Sequence, residues 1–176
     1  MLPRLPVTKG RLCLYRLKLL HGCFFLAAAI HNTEEAPWLP RWSSHAGRWH
    51  ASVKAGAFRF AVLILTALAL GIVILARMQG PQSAGAYLLT GYALAMGLNV
   101  AFPHLAATIV MRRYMPGTAT ALVLNLPVTT LLIAVALRDG IMSPGLFLIA
   151  GPLVTAAIVL SIPVLFYVGG RLTERK

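Results

Sequence analysis

Four apolar stretches, residues 57–76, 84–110, 118–137 and 144–168, dominate this chain. Each reaches or exceeds the ~20 residues a helix needs to cross a ~30 Å hydrocarbon layer. The composition agrees: 59% of residues are hydrophobic and 11% charged, where about a quarter are charged in an ordinary soluble domain. The chain therefore reads as all-α, a polytopic helical membrane protein of about five transmembrane helices. Four come from the long runs. The first segment, residues 19–30, is only twelve residues long, and a basic leader (Arg4, Lys9, Arg11, Arg16, Lys18) precedes it. With Ala27, Ala28 and Ala29 it resembles a signal peptide with a cleavage site, but the leader is long and His21 interrupts the apolar core. A retained helix running on to Leu39 has about the length of a full span. The expected organisation is a basic tail (1–18), one helical membrane domain (19–170) and a short basic tail (171–176).

Positive charge leaves the topology open. If all five segments span, seven Lys and Arg fall on one side and nine on the other; if the first segment re-enters, the split is fourteen against two. The net charge of +12 sits in termini and loops, with no aromatic-interleaved basic domain. Membrane lipid head groups, not nucleic acid, are the expected partners. Cys13 and Cys23 form no CxxC pair, and neither a Walker loop, a G-x-S-x-G elbow nor an HExxH pair is present. A shift of sixty residues superposes Gly80 on Gly140, Ser83 on Ser143, Gly91 on Gly151 and Pro103 on Pro163. This suggests a duplicated helix pair, although a Gly- and Leu-rich chain also aligns with itself by chance.

The chemistry gathers in "IHNTEEAPW". Two of only four acidic residues stand side by side, three and four positions after a histidine. At about 100° per residue His31, Glu34 and Glu35 share one helix face. Adjacent carboxylates beside an apolar run repel each other and resist losing water, and a bound divalent metal would compensate both costs. One imidazole with carboxylates suits Zn, Fe or Mn. A solvated cluster at the membrane interface is the bland alternative.

The third run, "MGLNVAFPHLAAT", supplies partners. Pro103 lacks an amide hydrogen, so the carbonyl of Asn99 loses its helical partner and the helix should kink there. On a straight helix Asn99 and His104 would point about 140° apart, and only a distortion would let both serve one centre. Ala93, Gly97, Ala101 and Thr108 form a small-residue stripe that admits another helix. Asn125, ahead of Pro127, is expected to hydrogen-bond between helices, Trp38 and Trp42 to form an interfacial belt, and Arg59 to snorkel. His45 and His50 lie in an interfacial loop from which either could close over the site. Arg112, Arg113 and "YMPG" should stop the third helix.

"HNTEEAPWLPRW", a later Asn and His, and then "RRYMPG" together resemble the HXXEE family of small bacterial membrane proteins over residues 17–132. That family has no established activity. The resemblance implies a bacterial cell (inner) membrane and a metal-dependent or hydrolytic site carried by His31, Glu34, Glu35, Asn99 and His104. The leading expectation is a metal-dependent hydrolase acting on a membrane-associated substrate. His31, Glu34 and His104 would be metal ligands, Glu35 the general base, and Asn99 the group orienting substrate or an oxyanion; sequence does not tell the two glutamates apart. A proton or cation transport component, expected as a homo-oligomer, and a non-enzymatic membrane adaptor are the alternatives.

Overall fold

A computed structural model describes residues 7–47 and 51–173, with side chains from Tyr15 onward. The helices in chain order are α1 (Val7–Ser43), α2 (Ala55–Gln79), α3 (Ala84–Asn99), α4 (Ala106–Met111), α5 (Thr118–Thr120), α6 (Leu126–Arg138) and α7 (Pro144–Thr173). Wider π-helical turns, Val100–Leu105 and Ala121–Asn125, join α3 to α4 and α5 to α6. The protein is an all-helical membrane bundle. Four stretches, Ala55–Gln79, Ala84–Met111, Thr118–Arg138 and Pro144–Thr173, are long and apolar enough to cross a bilayer. In hydrocarbon each backbone N–H and C=O must be satisfied within the protein, which is why these runs are helices.

The first segment does not turn back. α1 is one uninterrupted helix, and the stretch expected as a basic tail is already helical from Val7. Near one end Arg77 Nη2 of α2 donates to the carbonyl of Lys18 at 2.7 Å; near the other, Arg59 Nε donates to that of Ala36 at 3.3 Å. These contacts are eighteen residues apart on both helices, about 27 Å at 1.5 Å per residue. α1 thus runs antiparallel to α2 as one continuous helix over that length and does not enter and return. The Arg59 contact has a local cause. Pro40 cannot donate to the Ala36 carbonyl four residues earlier, and Arg59 supplies the missing hydrogen.

Small residues set the packing. A Cβ on Gly85 would stand 2.7 Å from the Ala76 backbone, and one on Gly91 2.5 Å from Val154, so α3 lies close against α2 and α7. Gly97 of the expected stripe faces Thr129 of α6. Phe24 meets Tyr92 edge-on, at 5.7 Å between centroids, inside the main core. Outward, α7 exposes Leu148, Leu153 and Leu160, a surface that only an apolar solvent would wet. The turns after α2 and α6 resemble each other: Gly80 and Gly140 both have positive φ, and Gln82 bridges the turns by donating its amide N–H to Ile141 O and its side chain to Gly140 O, both at 2.8 Å.

Three expectations change. Trp42 is buried with Leu39, Phe58, Val62 and Met115, while Trp38 alone faces outward, so no paired belt forms. Asn125 is buried with its amide nitrogen unpartnered among the described residues, so it does not donate the expected interhelical hydrogen bond. Arg59 is tied to the α1 backbone instead of snorkelling.

Candidate metal centre

The site lies one turn inside the Ala36–Arg59 contact, where α1 meets the break between α3 and α4 and the turn before α5. Pro103 does what its missing donor requires. Phe102 leaves the helical region (φ −138°, ψ 122°), the chain bends, and His104 becomes buried, at 1% exposure. The two residues that a straight helix would separate now approach one centre: Asn99 Nδ2 is 3.4 Å from His31 Nε2, and His104 Nε2 is 3.1 Å from Glu35 Oε1. His31 Nε2 is 3.7 Å from the other Glu35 oxygen, and the two imidazoles meet edge-on at 4.8 Å. One ligand atom from each of His31, Glu35 and His104 lies within 4.8 Å of the others.

Glu34 faces away from this triad. Its Oε1 accepts from Tyr114 Oη at 2.5 Å and from the Gly117 amide at 3.1 Å, and its Oε2 from Thr120 Oγ1 at 2.7 Å. Thr120 Oγ1 is also 3.0 Å from His31 Nδ1. Its one hydrogen goes to an acceptor, either Glu34 or the Gly117 carbonyl at 3.1 Å. His31 Nδ1 must therefore carry the proton that this contact needs, which leaves the Nε2 lone pair aimed at Asn99, Glu35 and His104. Tyr114 completes the cluster, its phenol pushed above its ordinary pKa by burial and by donation to Glu34, so it stays a donor across neutral pH.

Gly117 makes the arrangement possible. Its φ of +91° disfavours any other residue, and a Cβ there would sit 2.7 Å from His104 Cε1 and 2.9 Å from both His31 Cε1 and Glu35 Cγ. The turn thus closes directly onto all three triad residues. Gly117 and Tyr114 belong to the stretch read in sequence only as a helix stop, and Thr120 carried no signal. His45 plays no part: its Nδ1 is 3.0 Å from Arg41 O on its own turn. His50 lies outside the described residues.

A cavity of about 230 Å³ adjoins the triad. His31, Asn32, Glu35 and Asn99 line its polar end, and apolar side chains of α2, α3 and α7 line the rest. Asn32 is held by donation to Thr66 Oγ1 at 2.7 Å.

Fold and site together define an integral membrane protein with a buried His/Glu cluster. The chain belongs to the family described as "Protein of unknown function with HXXEE motif", whose model matches residues 23–132. It is 39% identical over 153 residues to the uncharacterized protein YrkK of Bacillus subtilis (strain 168), covering 85% of this chain and 95% of that protein. No solved structure matches.

Proposed function

We propose that His31, Glu35 and His104 hold a divalent metal, and that the protein is a metal-dependent hydrolase of a membrane-associated substrate in a bacterial cell membrane. One observation carries the reading. Both ring nitrogens of His104 are buried without a hydrogen-bond partner among the described residues, yet Nε2 stands 3.1 Å from a Glu35 oxygen, misaligned for a hydrogen bond. Ligand atoms on a tetrahedral zinc with bonds of ~2.0–2.1 Å are ~3.3 Å apart, so that contact has the spacing of two neighbouring ligands. The free Nε2 of His31 supplies the third. Two histidines and a carboxylate suit Zn, Fe or Mn and leave positions open, and a metal so held lowers the pKa of bound water and polarises a carbonyl.

The protein groups then divide the work. Glu35, not Glu34, takes the ligand place between the histidines, and its second oxygen is a proton acceptor at the same point. Glu34 is a positioning residue: through Thr120 it fixes the tautomer of His31, as carboxylates behind ligating histidines commonly do. Asn99 offers its amide to a developing oxyanion. The polar chain reaches the surface at Tyr114, which is half exposed, and on the other side meets the apolar wall of Tyr92 and Met96. One-sided access speaks for a reaction site more than for a path across the membrane.

The test is turnover in vesicles. Zinc-loaded protein should hydrolyse acyl esters or amides, Glu35→Gln should abolish turnover while the helical fold is retained, and chelation should reversibly do the same. Turnover that survives Glu35→Gln, or cation flux in place of hydrolysis, would overturn the reading.

A further inference from the structure

The cavity beside the triad has a shape and a depth that narrow the substrate. Its polar lining is His31, Asn32, Glu35 and Asn99 with the Tyr92 hydroxyl tied to the Leu65 carbonyl, and the rest of its wall includes Phe58 and Val62 of α2, Met96 of α3, and Ile158 and Phe166 of α7. A space of that size and lining is a poor site for water, which needs two or more polar partners, and leaving it empty is costly in proportion to its volume. Val159 lines the cavity and is also 54% exposed on the outer face of α7. It lies midway between Pro144 and Thr173, the ends of that helix. At Val159 the cavity wall is therefore also the outer face of the bundle, beside the middle of a spanning helix, where the surrounding phase is hydrocarbon.

We propose that the cavity receives a single alkyl chain that enters sideways from the bilayer past Val159, which makes the substrate an acyl amphiphile whose polar linkage comes to rest at Glu35 and Asn99. This rests on the hydrolase reading for the word substrate; the chain-binding cavity stands apart from it. Ala61 and Ala95, both buried and lining the cavity, give the means to fill it from α2 and from α3 independently. Leu63, 67% exposed on the other face of α2, is the control.

Zinc-loaded protein released from detergent for native mass spectrometry is offered a dodecyl-chain hydroxamate, with dodecanol as a probe that lacks a metal-binding head. Metal and chain add separate masses. One hydroxamate per protein is expected in the wild type and in Leu63→Phe. Ala61→Phe and Ala95→Phe should each weaken it about tenfold, roughly what losing the burial of two methylenes gives, with zinc retained as the sign of an intact fold. If no zinc binds, the metal reading fails alone, and dodecanol with the same dependence on the two alanines still supports the cavity. Adducts of equal strength in all four proteins, or none in the wild type with either probe, would overturn the proposal.

Discussion

Pro103, in the turn that follows α3, and Pro163, within α7, stand sixty residues apart and have opposite outcomes. α7 runs through Pro163 as one helix and turns Val159 and Val164 outward, at 54% and 60% exposure. α3 stops at Asn99, Phe102 becomes extended, and His104, the counterpart of Val164, is buried at 1%. The missing N–H is the same in both, so proline alone does not decide the outcome. What differs is the supply of partners. Thr118 Oγ1 donates to the Met115 carbonyl at 2.7 Å and stands 3.4 Å from the His104 carbonyl, the Thr108 and Thr118 hydroxyls meet at 2.9 Å, and Thr108 Oγ1 accepts from the Met115 amide at 3.1 Å. Non-helical backbone survives at membrane depth only where protein covers and bonds it. At the α3 break the His104 side is packed against α1 and the turn before α5 while Phe102 points outward, whereas α7 faces lipid and keeps its helix.

The sharpest way to break this contrast is to open the turn that closes the α3 break. Gly117→Ala places a Cβ against His104, His31 and Glu35 at a φ of +91°, and strain of this kind costs about 1–3 kcal/mol. Thermal unfolding in detergent should show that loss, and stoichiometric metal binding should vanish with it. Gly140→Ala, also at positive φ but with nothing near its Cβ, should show the backbone cost and leave metal binding alone. An intermediate effect is expected from Thr120→Val, which keeps the shape but cuts the link from Glu34 to His31. Isothermal titration should find metal affinity down about 10–100-fold, the usual cost of removing a group that orients a ligand. The smallest effect falls on the lipid-facing helix: Val164→Ala should change stability within about 0.5 kcal/mol and leave metal affinity unchanged. A comparable loss of metal from Val164→Ala and Gly117→Ala would dissolve the distinction between the two helices.

Much of the site could be read from residue order. The HxxEE face, the proline that would bend the third span, and Asn99 and His104 on either side of it follow from helical periodicity and one absent donor. The division of labour between the glutamates does not follow. Glu34 and Glu35 flank His31 on one face of α1, and only the neighbours decide: Tyr114, Gly117 and Thr120 take one, and the histidines the other. Those neighbours come from a turn whose sequence advertises only a helix stop, and a threonine in an apolar run has no signature until its partner is placed. α1 was ambiguous for a similar reason. Its apolar core is short, and in the fold it belongs to one long helix laid along α2, where Arg59 mends what Pro40 removes.

The proposed centre draws its ligands from two distant parts of the chain, and X-ray absorption at the metal edge of the zinc-loaded protein addresses it most directly. Two imidazole nitrogens and one carboxylate oxygen at about 2.0–2.2 Å are predicted, with one imidazole lost in His104→Ala and the carboxylate retained in Glu34→Gln. A metal that keeps the same ligand shell in His104→Ala, or that loses its carboxylate in Glu34→Gln and keeps it in Glu35→Gln, would contradict the centre described here.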